Sequence, residues 1–141
     1  MIYFREGDIK CSVKNKRAVS AWINSIIKNA SMSVGDLCVV SCSDEYLHKT
    51  NVEHLNHDYY TDIITFDYCE NSVVSGDLLI SFDRVAENAK DNGVEFQEEL
   101  RRVIVHGVFH LLGFKDKTEK EVSVMREKEN QALKTFHVEQ N

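Results

Sequence analysis

The run from Glu95 to Gly113, EFQEELRRVIVHGVFHLLG, constrains the fold most, because its spacing demands a long helix with one face in a core. Phe96, Leu100, Val103, Ile104, Gly107 and Leu111 recur at helical intervals, and Glu95, Glu98 and Glu99 sit in the first turns, where the macrodipole favours acids. Gly113 stands at the position where a helix commonly ends in a left-handed turn. His106 and His110 lie one turn apart, about 40° around the axis, so both rings project from one flank at the border of the core.

Such a pair can converge on one ion, since imidazole nitrogens sit about 2.0–2.1 Å from zinc. Tight binding needs a third ligand, and a Gly113 turn would bring Asp116, six residues past His110, back toward the same point. His106, His110 and Asp116 with one open position would make a catalytic rather than a structural arrangement. The plainer alternative is two hydrogen-bonded histidines, with Asp116 simply preceding the next helix. The spacing is that of the metalloprotease signature H-E-x-x-H, but Gly107 occupies the place of its Glu, so peptide hydrolysis would lack its usual base. A reaction that brings its own nucleophile, such as attack by a ribose 2′-hydroxyl on its phosphodiester, could dispense with that Glu. A glycine in mid-helix costs about 1 kcal/mol relative to Ala, which points to close packing or substrate approach at Gly107.

The rest of the chain supplies a small sheet and further helices. A strand is expected at Ile2–Phe4, a helix at Lys16–Asn29, and a buried strand at Leu37–Ser41. Asp44 is the expected N-cap of a helix to about Asn56, followed by the polar, aromatic loop HDYYTD. Strands follow at Asp62–Phe66 and Asp77–Ser81, separated by Asn71, Ser72 and Gly76. Asp83 is the expected cap of a helix ending near Asp91 before Asn92-Gly93. Thr118 and Glu121 form a capping box for a last helix striped by Val122, Met125, Ala132, Leu133 and Phe136. The order β-α-β-α-β-β-α-α-α predicts an α+β (mixed α/β) fold, with about four strands in a small mixed sheet covered by about five helices.

With 141 residues, a single domain spanning 1–141 is expected. Hydrophobic residues at 43% and no apolar run near 20 residues argue for a soluble protein without a membrane partner. Arg5, Glu6 and Asp8 interrupt any secretory pattern at the N-terminus, so a cytoplasmic location is expected. Cys11, Cys38, Cys42 and Cys69 form no C-x-x-C pair and read as buried free thiols, with Cys38 and Cys42 on one face of a strand. The formal net charge of −6 excludes bulk electrostatic wrapping of nucleic acid, so any RNA would have to meet a local basic patch.

Four blocks together carry a resemblance. HGVFHLLG with a following polar ligand, TDIITF (Thr61–Phe66), GDLLIS (Gly76–Ser81) and MREKENQAL (Met125–Leu133) resemble, in order, motifs of the YbeY family of metal-dependent endoribonucleases. The resemblance implies a zincin-like fold, one Zn²⁺ ion, and cleavage of single-stranded RNA in ribosomal RNA maturation and ribosome quality control. It implies as partners ribosomal RNA and the small ribosomal subunit; the expected state is a monomer. His106 and His110 match the first two zinc ligands of the family, and the third family His falls on Asp116. Asp is a competent zinc ligand, though it lowers the net charge of the site. The family's loop Arg, associated with RNA cleavage, aligns with Leu55. His54, His57 and Lys115 are then the candidate phosphate donors, while Arg101 and Arg102 read as surface charges. Two further readings stay open: a ribosome-assembly factor with a structural metal, and a zincin-like metallopeptidase.

Overall fold

The computed structural model describes residues 1–136. Its elements run β1 (Ile2–Glu6), α1 (Lys16–Asn29), β2 (Ser33–Cys42), α2 (Asp44–Leu55), β3 (Ile63–Asp67), β4 (Val73–Ser81), α3 (Phe82–Asn92), α4 (Phe96–Leu111) and α5 (Glu119–Lys134). This is the expected element order and the expected α+β class. The sheet has strand order β1-β2-β4-β3, with β1, β2 and β4 parallel and β3 antiparallel at one edge.

Helices cover both faces, as a mostly parallel sheet requires. On one face Leu37, Val39, Leu78 and Ile80 meet Val103, Ile104, Val105 and Val108 of α4, together with Ile23 and Ile27 of α1. The other face is smaller, where Leu47 of α2 packs on Cys42 and Ile64. Strand alternation explains the division: Ile63 and Ile64 are neighbours in sequence yet belong to different clusters.

Several boundaries differ from expectation, each for a local reason. Ser43, not Asp44, caps α2, accepting from the Tyr46 N–H, and Ser81, not Asp83, caps α3, accepting from the Arg84 N–H. The freed carboxylates bind α2 to α3: Asp44 takes Arg84 at 2.8 Å, and Asp83 takes the Asp44 N–H at 2.9 Å. Strands β2 and β4 begin earlier than their apolar runs, because Ser33 and Val34 pair in parallel with Val73 and Val74. Gly76 therefore lies inside β4, where a Cβ would meet the Phe66 carbonyl at 2.4 Å. The turn falls to Asn71 and Ser72, both at positive φ. Cys11, Cys38 and Cys42 are buried free thiols and Cys69 is half-buried; burial pushes the Cys42 thiol up to about 12.

The last two helices place the site. Helix α5 opens with the Thr118–Glu121 capping box and buries Met125, Glu129 and Ala132. Its C-terminal end is held from the far side of the core: Trp22 Nε1 of α1 donates to the Ala132 carbonyl at 2.8 Å, and Phe136 meets the Trp22 ring edge-on at 5.5 Å.

Candidate metal centre

Two backbone devices make the centre. Gly107 sits where α4 crosses β3 and β4, and a Cβ there would lie 2.7 Å from Ile63 Cδ1 and 2.8 Å from Leu78 Cδ2. The glycine lets the helix approach the sheet, so its role is packing rather than substrate approach. The helix then ends at Gly113, whose φ of 100° is left-handed. The Gly113 N–H donates to the His110 carbonyl at 3.0 Å and the Phe114 N–H to the Phe109 carbonyl at 3.0 Å, which is the Schellman pattern. Phe109 and Phe114 close it with an edge-to-face contact at 5.9 Å.

That turn returns Asp116 to the flank carrying the two histidines. His106 Nε2 and His110 Nε2 are 3.0 Å apart, and Asp116 Oδ2 lies 3.2 Å from the first and 3.3 Å from the second. Ligand atoms held about 2.0–2.1 Å from a tetrahedral ion stand about 3.3 Å from one another, so this triangle fits a single small cation. The structure thus brings together all three residues the sequence nominated as a metal set. Each is half-buried, which leaves one side open to solvent.

The hydrogen bonds behind the ring nitrogens favour the same reading. His106 Nδ1 lies 2.7 Å from Glu129 Oε2, and His110 Nδ1 lies 2.9 Å from the Phe114 carbonyl. Both partners are acceptors, so each Nδ1 carries the proton and each Nε2 presents a lone pair to the centre. Two lone pairs 3.0 Å apart need a cation or a proton between them. Without an ion, His106 takes up a proton readily: burial disfavours its charge, but the hydrogen bond and charge of Glu129 outweigh it and hold the imidazole above its ordinary value.

Glu129 itself is not singled out by the sequence, although it lies within the MREKENQAL block, four residues after Met125. Its side chain is 5% exposed and would resist ionisation, yet bonds from His106 and Arg102 hold it below the usual carboxylate range. Arg102 Nη1 lies 3.0 Å and Arg126 Nη1 3.3 Å from Glu129 Oε1. Arg102, read from sequence as a surface charge, is therefore part of the site's support; Arg101 instead lies over the Phe136 ring at 4.3 Å.

A cleft of about 360 Å³ opens beside the centre, lined by His106 and Asp116, by Arg102 and Arg126, and by Asp62 and Glu99 among others. Glu99, one of the acids in the first turns of α4, is 6% exposed and lines this cleft. Burial raises its carboxyl, and burial likewise raises that of Asp62 against the opposing pull of His106. The Thr-Asp that opens the TDIITF block was the signal for Asp62. The three candidate phosphate donors lie outside the cleft lining. His54 is exposed in the last turn of α2, His57 stacks on Tyr59 at 5.3 Å in an exposed loop, and Lys115 is exposed two residues past Gly113.

Comparison with known proteins agrees with this architecture. The sequence matches the Endoribonuclease YbeY family over residues 2–137. It is 46% identical over 129 residues to the endoribonuclease YbeY of Flavobacterium johnsoniae, covering 92% of this chain and 93% of that protein. With its counterpart in Christiangramia forsetii the identity is 46% over 138 residues, or 98% and 95% of the two chains. The solution structure of TM1509 from Thermotoga maritima shares the fold at a TM-score of 0.65 and 24% identity, covering 95% of this chain and 87% of that one. A match along nearly the whole sequence places this chain in the endoribonuclease YbeY family.

Proposed function

We propose that this protein is a metal-dependent endoribonuclease that cuts single-stranded RNA during ribosomal RNA maturation and quality control. The observation that carries the reading is the convergence of His106 Nε2, His110 Nε2 and Asp116 Oδ2 beside an open cleft. Family membership gives that centre its substrate class. Zn²⁺ suits two imidazoles and a carboxylate, and when bound it would supply a Lewis acid for a phosphate oxygen.

The chain's own residues have separable tasks. His106, His110 and Asp116 hold the ion; Glu129 and the Phe114 carbonyl fix the ring orientations. Asp62 adds a carboxyl in the same cleft that burial makes able to hold a proton. A peptidase role fits poorly, because Gly107 offers no carboxylate beside the ligands, and a side chain there would press on Ile63 and Leu78. No helix of the described residues is long and apolar enough to cross a membrane. The same reading takes the protein as a monomer acting in the cytoplasm on ribosomal RNA and the small ribosomal subunit.

The test is cleavage of labelled single-stranded and hairpin RNA by purified protein, with elemental analysis alongside. Wild type should carry about one zinc and cut the single strand; Asp116→Ala and chelated protein should not. Equal cutting by Asp116→Ala would sink the metal-nuclease reading. One observation favours a ribosome-assembly factor with a structural metal instead, namely exposed Leu55 at the family's Arg position. Metal-site variants that restore growth to a deletion strain as well as wild type would decide for that factor.

A further inference from the structure

Resting on the RNA reading of the same cleft, we infer that Arg126, held by Glu129, is a phosphodiester-binding residue at the exit of the metal cleft. Both arginines line the cleft and both reach one oxygen of the buried Glu129. They differ in freedom. Arg102 is 23% exposed and spends its second amino group on Asn130 Oδ1 at 2.9 Å. Arg126 is 61% exposed and touches Glu129 through a single nitrogen at 3.3 Å, so most of its N–H donors face water. A planar guanidinium held at its base and open at its edge is suited to two oxygens of one phosphate.

Position adds direction. Arg126 and Val122 border two depressions at once: the metal cleft, and a shallow groove that also touches Lys117, Glu119 and Ser123. A strand with one phosphate at the metal centre would leave past Arg126 toward Lys117, with half-exposed Val122 offering apolar surface to a base. The charge balance favours such a residue. Four carboxyls, Asp62, Glu99, Asp116 and Glu129, face the cleft against two guanidiniums; fully ionised they leave two formal negative charges, and burial of Asp62 and Glu99 reduces that number. A bound divalent ion would offset the remaining charge for an incoming polyanion, and among the described residues Arg126 is the exposed cation lining the cleft, in a chain of net charge −6.

The experiment is fluorescence anisotropy of a labelled single-stranded 2′-O-methyl oligoribonucleotide with the zinc-loaded full chain, across a salt series. Arg126→Ala should bind about tenfold more weakly, and its log–log salt slope should be shallower by about 0.7, with zinc content and circular dichroism unchanged. Arg126→Lys should recover the slope more fully than the affinity, since it keeps the charge and loses the fork. Unchanged affinity and slope in folded, zinc-loaded Arg126→Ala would overturn the assignment and leave the RNA reading standing. Loss of zinc from Arg126→Ala would overturn it too, by showing that Arg126 acts only through Glu129. A wild type that binds no oligonucleotide overturns the RNA reading and this assignment together.

Discussion

Glu129 concentrates more of the site's electrostatics than any ligand, because one buried carboxylate receives His106, Arg102 and Arg126. Its charge keeps the proton on His106 Nδ1 and strengthens Nε2 as a donor to an ion. Glu129→Gln should therefore lower zinc affinity about 10–100-fold while His106, His110 and Asp116 stay in place, as a chelator-competition titration would show. The same pair sets a pH dependence in the ion-free protein. His106 has a raised value in the fold, so its contribution is complete below 6.5 and fades as pH rises through that raised value. Glu129 has a lowered value, so its contribution is complete above 4.5 and fades as pH falls through the lowered value. Chelated protein should be most stabilised by this pair between those limits, and thermal melts across pH should show that advantage vanish in Glu129→Gln. The ligands were legible in the sequence because helical spacing and one glycine turn fix them locally. Glu129 is 23 residues from His106, and nothing local announces that α5 will present it to that ring.

Helix α4 carries both histidines into place by packing close on the sheet, and at Gly107 even a Cβ would press on Ile63 and Leu78. Gly107→Val would add branched carbon against the tips of Ile63 and fully buried Leu78, both of which must shift to admit it. It should cost about 2–3 kcal/mol, measured as a shift in urea midpoint at constant m-value, and should weaken zinc binding by tilting α4. Elements whose signals were short-range came through from the sequence: the T-x-x-E box opens α5, and Gly113 ends α4 in a left-handed turn. Caps shared between neighbours did not. Asp44 and Asp83 each looked like a cap, but serines one and two residues earlier took that role and released the carboxylates to join α2 to α3. Strands β2 and β4 outran their apolar stretches for a related reason, since parallel pairing with a neighbour orders polar residues that no local pattern marks.

At the scale of the whole molecule, the centre joins the C-terminal end of α4 to the turn that leads into α5, and Trp22 of α1 secures the other end of α5. An ion held by His106, His110 and Asp116 therefore ties the turn at Gly113 to the core, and it binds the folded chain far better than an unfolded one in which those ligands are scattered. Mass action converts that preference into stability: free zinc at about 100 times its dissociation constant adds about 2.7 kcal/mol. For a domain of this size that is roughly 8–10 °C in Tm. Differential scanning calorimetry at neutral pH should show the rise on adding zinc to chelated wild type. Asp116→Ala should lose most of it, because two imidazoles alone hold zinc weakly. Arg126→Ala should keep it, because that side chain supports a bound strand and lies outside the ligand set. An Asp116→Ala protein that gains as much as wild type would place the ion somewhere other than this centre, and the metal chemistry argued from it would fall.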